Sequence, residues 1–200
     1  MSVIITTMMA GRTDKFANIT YVFLDRDGVL NRTLHGSYVT SWEQFEVLPG
    51  VEQAIAELNL SRRKVIVVTN QRGIALGLHS EADLHALHDR LRAHLAEHGA
   101  HLDAIYYCPH DNGECHCRKP HTGMFEQAFQ DFPGASAGNS VMVGDSLVDV
   151  EAASRLGMRS VFISDPYARP RSDAAHASTL ATAVAASLLD SVRRYLVCED

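Results

Sequence analysis

The chain has 200 residues, 18 Lys and Arg against 24 Asp and Glu, a formal charge of −6, and 46% hydrophobic and 21% charged residues. At roughly 150 residues per domain this is one domain, large enough to bury about 70% of its unfolded surface. The composition excludes disordered, collagen-like and coiled-coil chains, no run of about 18 apolar residues spans a membrane, and the acidic balance argues against a nucleic-acid or membrane-surface partner.

Residues 1–19 carry no basic n-region and no small-residue cleavage site, so they read as a flexible leader, with residues 20–200 as a single domain. The default compartment is then the cytoplasm and the default assembly a monomer. Five near-continuous apolar runs read as buried parallel strands: Tyr21–Asp25, Lys64–Asn70, Ala104–Cys108, Ser140–Asp145 and Ser160–Ser164. Helical patterns separate them. Gly50–Leu60 places Val51, Ile55 and Leu58 on one face. Ser80–His98 carries a Leu84, Leu87, Leu91, Leu95 stripe, with Ser80 as N-cap and Asp83 three residues on. Thr122–Phe132 and Leu147–Leu156 follow, the latter closed by Gly157. The tail beyond Asp165 reads as helical and Ala-rich to about Tyr195. This alternation predicts a doubly wound α/β fold with a parallel sheet of five or more strands.

Two segments are long for their place: Asn31–Leu48 after the first strand and Pro109–Pro120 after the third. Both leave the carboxyl edge, where open α/β sheets bind ligands. The first strand ends in Asp25-Arg26-Asp27-Gly28. Two carboxylates there either cap a strand end or hold a cation such as Mg²⁺ and do chemistry. Thr69 ends the second strand and offers a hydroxyl for an anion. Asp145 and Asp149 follow the fourth, Asp145 as helix cap or metal ligand, Asp149 one turn on and able to bond back.

The third loop reads Cys108-Pro-His110-Asp-Asn-Gly-Glu-Cys115-His-Cys117-Arg118-Lys119-Pro120. Three sulfurs and one imidazole make a tetrahedral Zn²⁺ set with no open position, hence a structural zinc loop over 108–117. His116 is the alternative to His110. Cys198 reads as an unpaired thiol. Among the 11 histidines, His85, His88, His94 and His98 fall on or beside one helix. Their spacing suits a metal, but no carboxylate set joins them, so they read as a solvated face. Tyr38, Trp42 and Phe45 in the first long loop either pack as a lid or form a pocket wall.

Together these features resemble the haloacid dehalogenase (HAD) superfamily of aspartate-dependent phosphatases over about residues 21–165. With Thr69-Asn70-Gln71 and Ile105-Tyr-Tyr-Cys-Pro-His110, the cysteine loop is similar to the zinc-containing branch of heptose 1,7-bisphosphate and histidinol-phosphate phosphatases. The resemblance implies a capless HAD-like hydrolase, Mg²⁺-dependent, with structural Zn²⁺ and a small phosphorylated metabolite as substrate. It implies Asp25 as an already ionised nucleophile and Asp27 as general acid/base. Thr69 and Lys119 would hold the phosphoryl group, and Mg²⁺ would sit on Asp25, Asp145 and the Asp27 carbonyl. Substrate contacts would come from Arg26, His35, Tyr38, Asn70, Gln71, Arg72 and Arg118. The short stretch between His110 and Cys115 is closer to the histidinol-phosphate type. Ser146 stands where the heptose enzymes usually carry Lys.

Overall fold

The computed structural model describes residues 14–34, 36–165 and 172–197. Strands β1 (Tyr21–Leu24), β2 (Lys64–Asn70), β3 (Ala104–Cys108), β4 (Ser140–Gly144), β5 (Arg159–Ile163) and β6 (Ala183–Ala185) form one sheet, all parallel, in the order β3-β2-β1-β4-β5-β6. Helices α1 (Val51–Leu60), α2 (Glu81–Glu97), α3 (Gly123–Asp131), α4 (Leu147–Arg155), α5 (Ala174–Leu180) and α6 (Leu188–Ser191) cover it. The chain starts in the middle, winds outward to β3, then returns to place β4 on the other side of β1. That reversal opens a crevice beyond the carboxyl ends of β1 and β4.

Period-two alternation divides each strand between two apolar cores. Val22, Leu24, Val65, Val67, Val141 and Val143 face α1, α2 and the C-terminal helices. Phe23, Ile66, Val68 and Met142 face α3 and α4. Both faces are buried, which is why the strands read as continuous hydrophobic runs. Ser80 caps α2 in a reciprocal box with Asp83, as the sequence predicts.

Two expectations are corrected. The tail is not one helix: Ala183–Ala185 is a short edge strand on β5, and a π-helical turn, Val192–Leu196, follows α6. Alanine favours helix in isolation, and here the unpaired edge of β5 overrides that preference. The expected leader also ends earlier than residue 19. Phe16 and Ile19 are buried in the main core, and the Phe16 ring lies 5.4 Å from that of Tyr195. Cys198 lies outside the described residues. No helix among the described residues is long and apolar enough to cross a membrane.

The segment before β1 and the π-helical turn after α6 therefore meet at the core. Phe16→Ala is expected to lower unfolding stability by about 3 kcal/mol, the range for a buried aromatic truncation. Urea denaturation of the variant measures it.

Candidate active site

Four strand ends converge on one buried ammonium. Lys119 lies in the loop between β3 and α3 and is 2% exposed. Its Nζ is 2.9 Å from Asp25 Oδ1, 2.6 Å from Asp149 Oδ1 and 2.7 Å from the Val68 carbonyl. Asn70 at the end of β2 clasps the Lys119 backbone on both sides, accepting from its N–H at 2.9 Å and donating to its carbonyl at 3.0 Å. Asp149 is held in turn by the start of α4. Its second oxygen accepts from the Ser146 N–H at 3.1 Å and from the Ser146 hydroxyl. Gly144 is required beneath it, because a Cβ there would overlap the Asp149 carboxyl.

Asp25 also accepts from the Arg26 N–H at 2.8 Å. Burial pushes its pKa up to about 7, although the Lys119 charge pulls it down; Asp149 and Asp27 add to the rise. Lys119 itself is held above the ordinary lysine range: burial works against its charge, and Asp149 and Asp25 outweigh it. Oxygens of Asp25, Asp145 and Asp149 lie within 4.8 Å of one another. Such an all-carboxylate set fits a hard divalent cation such as Mg²⁺. Asp145 sits against Gly28, whose φ is +91° and where any Cβ would run into the carboxylate. The glycine of Asp25-Arg26-Asp27-Gly28 thus serves both the turn and the metal edge.

Asp27 faces a different set of partners. Arg26 Nη2 donates to both its oxygens, at 3.0 and 2.8 Å; Asn31 donates at 2.9 Å and Gln71 at 3.0 Å. Burial opposes ionisation, but the Arg26 charge and these hydrogen bonds prevail and hold the carboxyl below its usual range. Gln71 Nε2 also donates to Thr69 Oγ1 at 2.8 Å. The Thr69 hydroxyl proton can then be directed toward a ligand.

Beside this edge, Cys108, His110, Cys115 and Cys117 bring their donor atoms together. The three sulfurs are 3.1–3.4 Å apart, and His110 Nδ1 is 3.3 Å from Cys117 Sγ and 3.6 Å from Cys108 Sγ. These thiols are not disulfide-bonded. The edge of a zinc–thiolate tetrahedron is about 3.8 Å, so an opening of roughly half an ångström fits Zn²⁺. The loop is latched to its neighbours. Arg72 forks onto Asp111 at 2.5 and 3.3 Å, and Arg118 Nε donates to Asn112 at 2.8 Å.

Comparison with known proteins decides the family. Residues 116–191 match the HAD-hydrolase-like family model. The D-glycero-alpha-D-manno-heptose-1,7-bisphosphate 7-phosphatase of Mycobacterium tuberculosis is 42% identical over 133 residues, covering 66% of this chain and 70% of that protein. The beta-heptose counterpart of Bordetella bronchiseptica is 43% identical over 138 residues, covering 68% and 75%. The crystal structure of the B. bronchiseptica D,D-heptose 1,7-bisphosphate phosphatase, complexed with magnesium and phosphate, matches with a TM-score of 0.73 at 32% identity, over 86% of this chain and 95% of that one.

The chain belongs to the HAD-like phosphatases.

Within this phosphatase the structure gathers Asp25, Thr69, Lys119 and Asp145 at one edge, as the sequence predicts, and moves several other residues. Arg26 is 1% exposed, with its guanidinium turned inward onto Asp27, 3.4 Å from His88 Nε2 and over the Phe45 ring. It therefore supports Asp27 and does not face a substrate. Asn70 and Gln71 likewise spend their amides on Lys119 and on Asp27 with Thr69. The Asp27 carboxylate stands outside the carboxylate cluster, and Asp149 takes that place. At Asp25, burial raises the pKa while the Lys119 charge favours the ionised form. His116 turns toward His121 and leaves the zinc set to His110. Trp42 stacks on Phe45, which is buried, so both pack as a lid. Tyr38 stands against Gly73, whose Cβ would meet its ring at 3.3 Å. His35 lies outside the described residues.

Asn31, His88 and the Ser146–Asp149 box are additions. The box is legible as S-x-x-D at a helix start. Asn31 and His88 carry no local signal. Arg26 can only donate, so His88 Nε2 accepts and the ring is neutral. Burial, reinforced by the Arg26 charge, lowers the His88 pKa from 6.5 to about 3. The unfolded chain therefore binds a proton that the folded chain refuses, and stability is lost as pH falls below the unfolded value. At roughly pH 5 this costs about 2 kcal/mol relative to neutrality. His88→Gln is expected to flatten that part of the stability profile, read by urea titration at both pH values.

Proposed function

We propose that this phosphatase removes a phosphate from a small sugar bisphosphate, D-glycero-D-manno-heptose 1,7-bisphosphate at its 7-position, through an aspartyl-phosphate on Asp25. The observation that carries the reading is the Asp25–Lys119–Asp149 arrangement beside Asp145 at the crevice between β1 and β4. The similar heptose-bisphosphate phosphatases bear names for both heptose anomers at nearly equal identity.

An Asp25 oxygen attacks phosphorus in line, a P–O bond forms, and the bond to the sugar oxygen breaks. Asp27 delivers a proton to that oxygen. Water then attacks the aspartyl-phosphate, gives its proton to Asp27 and releases phosphate. Asp27 must carry a proton in the first step, although its partners favour the ionised form. A dianionic phosphate arriving beside it raises its proton affinity. Lys119 has all three N–H donors engaged, so an entering phosphoryl oxygen takes over the one on Asp25. That exchange frees the nucleophile and moves the positive charge to where negative charge builds. Thr69 donates its hydroxyl proton to the same group. Asp25 and Asp145 with the Asp27 carbonyl would hold Mg²⁺, which would supply charge neutralisation between two anions.

Arg118 serves the distal phosphate. Its Nε is anchored on Asn112, and its Nη1 is buried without a partner, a donor kept for an anion. Zn²⁺ on Cys108, His110, Cys115 and Cys117 fixes the loop that carries Arg118 and Lys119. Reduced thiols of this kind suit the cytoplasm, and the chain acts as a monomer. Histidinol phosphate is the second reading, favoured by the short segment between His110 and Cys115.

A phosphate-release panel with both heptose bisphosphate anomers, histidinol phosphate and simple sugar phosphates in Mg²⁺ tests the assignment. A heptose bisphosphate is expected to give the highest kcat/KM, and preference for histidinol phosphate would replace it. Asp25→Asn is expected to fall to background and form no phosphoenzyme; normal turnover in that variant would sink the mechanism. Stripping zinc with a chelator is expected to lower both Tm and kcat/KM, because Lys119 loses its anchored loop. Unchanged kinetics in zinc-free protein would contradict the structural role.

A further inference from the structure

We propose that Glu52, His94 and His98 form a transition-metal site that shares no residue with the Asp25 edge or the cysteine loop. His94 and His98 are one helical turn apart near the end of α2, and i,i+4 side chains lie on one face. Glu97 of the same helix is not part of the cluster. The fold supplies a carboxylate from α1: Glu52 Oε1 stands 2.9 Å from His94 Nε2. One donor atom from each of the three residues lies within 4.8 Å of the others.

The two imidazoles are oriented before any ion arrives. His98 Nδ1 is 2.8 Å from the His94 carbonyl oxygen. A carbonyl only accepts, so Nδ1 carries the proton and Nε2 keeps the lone pair. That is the tautomer a backbone carbonyl imposes on a metal-ligating histidine. The His94 ring is confined between the indole of Trp42, 5.6 Å away, and the His98 ring, 4.6 Å away. The Glu52 and His94 side chains are three-quarters buried, at 24% and 25% exposure, which weakens competition from water.

Two imidazoles and one carboxylate select a borderline ion such as Zn²⁺, Ni²⁺ or Cu²⁺ over Mg²⁺ or Ca²⁺, which prefer oxygen-rich sets. Three protein donors leave positions for water. A bound ion would pin α1 to α2 and, through the His94–Trp42 contact, hold the lid segment between β1 and α1.

Trp42 is the single tryptophan of the chain and lies against the site, so it reports occupancy. The experiment titrates Ni²⁺ into protein whose cysteine loop is filled with zinc, in excess Mg²⁺. Saturable quenching of Trp42 with one ion per chain, reversed by added Zn²⁺, is expected. Glu52→Gln and His98→Ala are each expected to weaken it roughly tenfold or more, as loss of one of three donors requires, while phosphate release stays unchanged. His98 is exposed, so its replacement leaves the core intact. Quenching that never saturates, or that is as strong in both variants as in the unsubstituted protein, overturns the proposal. So does quenching that disappears in Cys115→Ser, which would place the ion in the cysteine loop.

Discussion

A single buried ammonium organises the catalytic edge. Taking the Lys119 charge out of water is costly unless every donor is matched, and here Asp25, Asp149 and the Val68 carbonyl match all three. Asp25 follows β1, Val68 lies in β2 and Asp149 is in the first turn of α4 after β4, so the ion pair sets the relative position of β1, β2 and α4 at the crevice. The supporting parts follow from it. Ser146 caps α4 and aims Asp149, Gly144 makes room for that carboxyl, and Asn70 holds the Lys119 backbone against β2. The Ser146 that departs from the usual heptose-enzyme pattern therefore has a structural task here.

Around this centre the two aspartates of the first strand end are driven apart in character. Asp25 is buried and shares Lys119 with Asp149, which raises its proton affinity; Asp27 is ringed by Arg26, Asn31 and Gln71, which lower its own. Two residues apart in sequence, they are suited to different duties because β1 ends at Leu24 and the turn that follows sends Asp25 to Lys119 and Asp27 to Arg26, Asn31 and Gln71. Arg26, which sits between them, is spent on Asp27 and stacked against Phe45, with the neutral His88 accepting at its far side. The first long loop and α2 thus reach the catalytic edge through one guanidinium.

The cysteine loop belongs to the same construction. It follows β3, carries Arg118 and Lys119, and is tied to the β2–α2 segment by the Arg72–Asp111 fork and by the Ala75 N–H on the Pro109 carbonyl. Twelve residues without regular structure become a rigid arm when four donors converge and their neighbours are latched.

Five strands, four helices, the Ser80 cap and the cysteine set were legible in the chain because each is written locally, in apolar runs of period two or 3.6 and in close spacings of S and N donors. So was the meeting of Asp25, Thr69 and Asp145, since consecutive parallel strands must end on one edge. The sixth strand was not, because Ala183–Ala185 sets a single strand-favouring residue, Val184, between two alanines and exists only where β5 leaves an edge to pair. Nor were the inward turn of Arg26, the Asp149 contact with Lys119, or the carboxylate that Glu52 brings to His94 and His98. Sequence alone determined which groups are present and on which edge or face they emerge. Which groups meet across elements, and so which charges are paired, raised or suppressed, was decided only when desolvation in the folded core drove most buried donors and carboxylates to find partners.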